Sequence, residues 1–167
     1  MMTGQAELAP RTTDRSLTVF ESDFVVNAPL AKVWRFHEDP ASLPKIMKGP
    51  LRISVDHVDR PVQAGSKVMM TLRAGPVKLG WNVMVRERVA PSHFRDEQIA
   101  GEGPWKRWIH THRFEAVGIG ATRVIDRIEY EPPFGLLGRI GNALFGPLAM
   151  RMMFASRKSA TKALLES

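Results

Sequence analysis

Two histidines lie two residues apart in the stretch WIHTHRFE, Trp108 to Glu115. The β-branched and aromatic residues around them predict a strand, so both imidazoles project from one face. An imidazole titrates near neutral pH and can move a proton, bind a metal ion or hydrogen-bond a guest. What it does depends on what faces it. The next strand-like run contains Asp126. If Glu115 faces Arg123 and Arg107 faces Glu131, two opposite-charge cross-strand pairs form and the hairpin loop is Val117 to Ala121, with two glycines. His112 then falls opposite Asp126, and His110 opposite Ile128. One face carries Arg107, Ile109, Thr111, Arg113, Glu115, Arg123, Ile125, Arg127, Glu129 and Glu131, mostly charged and hence solvent-facing. The other carries Trp108, His110, His112, Phe114, Val124, Asp126, Ile128 and Tyr130 and turns inward.

An inward histidine held by a carboxylate can take a proton from a carbon beside a carbonyl and return one to a departing oxygen. The catalytic candidates are therefore His112 with Asp126, and His110 and Tyr130 as groups able to hydrogen-bond a carbonyl. The same residues also suit two plainer roles. They can be hydrogen-bonded polar groups that serve the fold, or the polar lining that orients a guest in an apolar pocket. The pocket is the leading expectation. Two histidines at this spacing, with Asp126 as a third ligand, are also compatible with a metal ion. A third histidine is absent from the face, and no metal or cofactor is assigned.

Several elements must position these groups. Leu17–Val26 reads as a first strand. A helix follows, with Asn27 as cap, Pro29 in the first turn, Leu30, Val33 and Trp34 on one face, and Asp39-Pro40 as its end. Ala41 to Ile46 forms a second short helix. Strands are predicted at 51–58, 67–74, 77–89, 93–99, 105–116 and 122–131, separated by Gly/Pro turns. Phe134 to Glu166 is helical in pattern and broken at Gly146-Pro147. Consecutive strands with tight connections predict an α+β fold, a seven-stranded curved antiparallel sheet around a long C-terminal helix. Trp81, Val83 and Val85 turn inward and Asn82, Arg86 and Arg88 outward. Val68, Met70, Leu72, Phe94, Asp96 and Gln98 join the lining. On the last helix Ala149, Met152, Met153, Ser156, Ala160, Ala163 and Leu164 share a side rich in small residues, which leaves room against the sheet. The ligand-binding set is thus Trp81, Val83, Trp108, His110, His112, Phe114, Asp126, Ile128, Tyr130, Met152, Met153 and Ser156.

The chain of 167 residues suits one domain over 17–167, with a polar tail over 1–16 that lacks the apolar core of a secretory signal. Cysteine is absent, which excludes disulfides and thiolate chemistry and fits a cytoplasmic protein. The net charge of +7 has no basic run interleaved with aromatics, so nucleic acid is not an expected partner. Much of the excess sits after Pro132, in Arg139, Arg151, Arg157, Lys158 and Lys162. In the same segment Leu136, Leu137, Phe145, Met150 and Phe154 cannot all face one core. The exposed remainder suits a lid, a homodimer contact in place of a monomer, or peripheral contact with an anionic membrane.

Three stretches carry a resemblance: FVVNAPLAKVWRFHEDPASLPKI, PWKRWIHTHRFEAVGIGATRVIDRIEYEPPFGLLGR and MFASRKSATKALLE. Together they resemble the START-like, or SRPBCC, superfamily of Bet v 1-like helix-grip proteins, and within it the bacterial polyketide cyclase/dehydrase-like members. The resemblance runs from Leu17 to the C-terminus. It implies a deep, largely apolar cavity between sheet and long helix, and a small hydrophobic or amphipathic ligand (lipid, quinone or polyketide-like) held by a carrier or sensor. The alternative it implies is a cofactor-free polyketide cyclase/dehydrase-type enzyme.

Overall fold

The computed structural model describes residues 16–167, so the tail expected over 1–16 lies outside the described residues but for Ser16. The elements run β1 (Thr18–Val26), α1 (Leu30–Glu38), a 3-10 turn (Pro40–Ser42), α2 (Leu43–Ile46), β2 (Leu51–Val58), β3 (Lys67–Ala74), β4 (Val77–Val89), β5 (His93–Gln98), β6 (Arg107–Ala116), β7 (Thr122–Glu131) and α3 (Gly135–Leu165). All strands join one antiparallel sheet in the order β1-β7-β6-β5-β4-β3-β2. The first two strands occupy opposite edges, and α1 and α2 make the traverse between them. This is the architecture expected from the sequence.

The β6–β7 register is the one inferred from charge: His112 pairs with Asp126, His110 with Ile128, Glu115 with Arg123 and Arg107 with Glu131. The ion pairs that form lie elsewhere, however. Glu115 takes Arg113, Arg123 takes Asp23 on β1, and Glu131 takes Lys106 and Arg139. The alternation of apolar residues fixes the register instead, since a one-residue slip would expose Trp108, Phe114, Val124 and Ile128, all buried. The inward face packs against α1 through Val33 and Trp34, and against α3 through Met150 and Phe154.

Four local expectations are corrected. Asn27 does not cap α1; Pro29 holds the cap position, and the Asn27 N–H bonds Glu166. Helix α3 is unbroken and passes through Pro147, although a helical proline removes a hydrogen bond and costs about 3 kcal/mol. Its buried residues are Met150, Phe154, Arg157, Thr161 and Leu165, one step round from the expected face, while Ala149, Met152, Ala163 and Leu164 are exposed. Arg88 faces in rather than out. A bulge between Val85 and Glu87 adds a residue to β4, so that Val85 pairs with Asp96 and Arg88 with Phe94, reversing the alternation beyond it.

Candidate functional site

Strand alternation places Trp108, His110 and His112 on the concave face of β6. The same pleat brings Phe94 and Asp96 of β5 to one side of the histidines and Asp126 of β7 to the other. Arg157 descends from α3 and His37 from the last turn of α1. His110, His112, Asp126 and Arg157 are all buried, Asp126 completely.

Asp126 is the hub. Its Oδ1 lies 3.0 Å from His110 Nε2 and 3.0 Å from His112 Nδ1, so each ring donates to one oxygen. Arg157 Nη2 stands 3.7 Å from that oxygen and 3.5 Å from His112 Nδ1. The other side of His112 faces Asp96, with Nε2 3.3 Å from Oδ2. The two imidazoles approach to 3.8 Å between centroids with their planes tilted by 37°, and Phe94 stacks on His112 at 4.2 Å.

These neighbours separate the ionisation of the histidines. Burial and the adjacent His112 push His110 down to about 4, against the pull of Asp126. Burial also disfavours charge on His112, but hydrogen bonds to Asp126 and Asp96 outweigh it and raise its pKa. Burial would raise Asp126; Arg157 and both histidines overcome this and hold it well below the usual carboxylate range. The two rings are thus driven apart: charge is disfavoured on His110 and favoured on His112. His37 is set differently. Its Nδ1–H donates to the Val33 carbonyl at 2.9 Å, which leaves Nε2 a bare acceptor, shielded from solvent and without a partner. Burial and the charge of Arg157 lower it to about 3.

The cluster closes one end of a cavity of about 120 Å³, several times the space one water needs. Its walls are mostly apolar: Met47, Ile53, Val68, Met70, Trp81, Val83, Val85, Trp108, Met153 and Phe154, with Leu43 and Ile46 from α2, and Asp39 and Ser42 among the polar members. Trp81 contributes a buried indole N–H that has no partner. Trp81 is held against Gly103, where a Cβ would meet both its ring and the Gln98 amide; Gln98 in turn grips the Trp105 peptide through N–H and C=O. Arg88 lies at the rim, bonded to Glu38 at 2.5 Å and over the Trp34 ring.

Of the residues singled out from sequence, Trp81, Val83, Trp108, His110, His112 and Met153 line the cavity, as do Phe94 and Asp96. Asp126 sits behind the histidines, bonded to both, and does not line the cavity. Phe114 packs under α1 against Trp34. Ile128 and Tyr130 belong to the core with Met150 and Phe154, and the Tyr130 hydroxyl donates to Asn142 at 2.9 Å, outside the cavity lining. Met152 points to solvent, 67% exposed, and Ser156 bonds the Lys48 carbonyl at 3.0 Å. Both follow from the rotated face of α3. Arg157 and His37 were not anticipated. His37 follows Val33 and Trp34 at helical spacing, a signal the sequence did contain. Metal-ligand spacing involves Asp96, His110 and His112, whose donor atoms lie within 4.8 Å of one another; Asp126, the expected third ligand, bonds the rings from behind.

A curved sheet gripping a long helix, with an apolar cavity ending in buried polar groups, defines a helix-grip protein. Residues 26–155 match the family described as polyketide cyclase / dehydrase and lipid transport, and the chain belongs to that family. Solved structures share the fold. Protein CV1439 from Chromobacterium violaceum is 18% identical with a TM-score of 0.70, covering 89% of this chain and 98% of its own. The di-domain ARO/CYC BexL of the BE-7585A biosynthetic pathway is 18% identical with a TM-score of 0.66, over 89% of this chain and 46% of that one. Norcoclaurine synthase from Thalictrum flavum, in complex with dopamine and hydroxybenzaldehyde, is 16% identical with a TM-score of 0.60, over 98% and 94%. No curated protein matches the sequence.

Proposed function

We propose that the protein binds a small hydrophobic or amphipathic molecule in the cavity between sheet and α3, as a carrier or sensor, with the molecule's polar group at the histidine cluster. The observation that carries this reading is the asymmetry of the cavity. Its walls are mostly apolar, while the unpartnered His37 Nε2 offers an acceptor and the unpartnered Trp81 N–H a donor. A guest with a hydroxyl and a carbonyl on an apolar body satisfies both, and unsatisfied buried groups cost about 1–3 kcal/mol each. An environment-sensitive apolar dye should bind at one site per chain and be displaced by a fatty acid or a polyphenol. A dye that does not bind, or that no such molecule displaces, would overturn the reading.

One observation favours a second reading, a cofactor-free cyclase or dehydrase. His112 is fixed by Asp126 on one nitrogen while its other nitrogen faces the cavity beside Asp96, the arrangement of a positioned acid–base group. Ring closure or water loss from an aromatic polyketide precursor, abolished in His112→Gln while dye affinity is kept, would distinguish it from carriage.

A further inference from the structure

We infer that the polar end of the cavity is a binding site for a divalent transition-metal ion of the zinc class, held by Asp96, His110 and His112. Three observations bear on it. The donors are two imidazole nitrogens and one carboxylate oxygen, all within 4.8 Å of one another, the nitrogen-and-oxygen set that Zn²⁺ takes in sites with an open position. His112 Nε2 and Asp96 Oδ2 are 3.3 Å apart. That is the edge of a tetrahedron whose metal–ligand bonds are about 2.0–2.1 Å long, so an ion replacing this hydrogen bond meets both atoms with little movement. Behind the ligands, Asp126 Oδ1 accepts from a ring nitrogen of each histidine at 3.0 Å. A carboxylate in this position fixes the tautomer and orientation of metal-bound histidines, and here one carboxylate does so for both.

The charge balance agrees. Arg157 lies on the Nδ1 side of His112, at 3.5 Å, and next to Asp126. Its charge is met there, on the far side of the ring from Nε2. Asp96, His110 and His112 all line the cavity, so the fourth coordination position opens toward the guest. An ion there would polarise a carbonyl or hold a phenolate oxygen as a Lewis acid. This last step alone rests on the ligand-binding reading above; the ion site itself does not.

The test uses full-length protein without a histidine tag, stripped with a chelator, titrated with Co²⁺ and then Zn²⁺. One Co²⁺ per chain should bind with the intense visible bands of a four- or five-coordinate ion, and Zn²⁺ should displace it. Asp96→Asn and His110→Gln, each checked for folding by circular dichroism, should weaken binding at least tenfold. Asp126→Asn should weaken it about 10–100-fold, and His57→Asn, at an exposed histidine, should leave it unchanged. Only the faint spectrum of a six-coordinate ion, or affinity that Asp96→Asn and His110→Gln leave intact, would overturn the site. Dye binding by the stripped protein would in that case leave the cavity reading standing, whereas Co²⁺ binding without dye binding would keep the ion site and remove the cavity reading.

Discussion

His37 should make the protein sensitive to mild acid in a way that one substitution removes. The ring packs against Phe36 and Phe114 at 5.3 and 5.1 Å between centroids, and its Nε2 is shielded from solvent with no partner. Burial and the charge of Arg157 hold its pKa at about 3, against 6.5 in the unfolded chain. The folded value is depressed, so its contribution to stability is complete above pH 6.5 and declines as pH falls toward 3. Over the two pH units from 6.5 to 4.5 the unfolded chain gains a proton that the folded chain refuses, at about 1.4 kcal/mol per unit. That gives nearly 3 kcal/mol; the ring is only partly buried, and water at its edge reduces the figure to about 2 kcal/mol. His37→Phe keeps the ring contacts and removes the titration. Urea unfolding followed by tryptophan fluorescence, with chelator present, at about pH 7 and about pH 4.5 gives the change in stability for each protein. His110, depressed to about 4, contributes the same acid loss to both proteins and cancels in the difference. The variant should lose about 2 kcal/mol less than the parent. Equal losses would mean that His37 ionises freely, and that the acceptor assigned to the cavity is not there.

Three further outcomes are expected. Arg157→Met should destabilise by about 3–5 kcal/mol, measured by urea unfolding, because it leaves the Asp126 carboxylate buried without its cation; a loss below about 1 kcal/mol would place Asp126 in contact with water. Met153→Trp should fill the cavity from α3 and weaken dye binding at least tenfold, at a stability cost of about 1–3 kcal/mol; unchanged affinity would put the dye elsewhere. Leu144→Glu with Leu148→Glu, at positions 68% and 61% exposed, should leave stability within about 0.5 kcal/mol and abolish flotation with anionic vesicles; a parent protein that does not float at low salt would exclude membrane docking.

The legible and illegible parts of this structure divide along physical lines. Strands β6 and β7 repeat with period two, one charged face and one apolar, so the direction of His110, His112 and Asp126 could be read directly. The charges that suggested the register were correctly placed yet bond other partners, so the inference succeeded because charge and apolar alternation share a period. Helix α3 offered no such contrast. Leu136, Leu137, Ile140, Leu144, Phe145 and Leu148 are exposed and match its buried residues in hydrophobicity, so the small residues at 149, 160 and 163 suggested a face one step away from the true one. Arg157 could be read as inward only with Asp126 waiting opposite. The bulge that turns Arg88 inward adds one residue to β4 and leaves no compositional mark. Among the described residues no helix is long and apolar enough to cross a membrane, as the interrupting Arg139 and Arg151 implied.

The polar cluster is hard to explain as a device for stability. Asp126 has apolar neighbours along its own strand, Val124 and Ile128, both buried, and apolar residues of similar size in place of a buried ion group are often neutral or stabilising. The cluster also leaves Asp126 Oδ2, Arg157 Nε and His37 Nε2 without partners, each a group whose burial is unfavourable when unpaired. Buried titratable groups that work against stability concentrate where a protein binds or reacts. Here six titratable groups, His37, Asp96, His110, His112, Asp126 and Arg157, converge from three strands and two helices at a largely apolar cavity. A purely apolar guest would leave the His37 Nε2 and the Trp81 indole N–H without a partner. An amphipathic guest, its polar atoms within reach of His37 and the Trp81 indole N–H and its body against Met70 and Val83, would satisfy two of the orphaned groups that line the cavity.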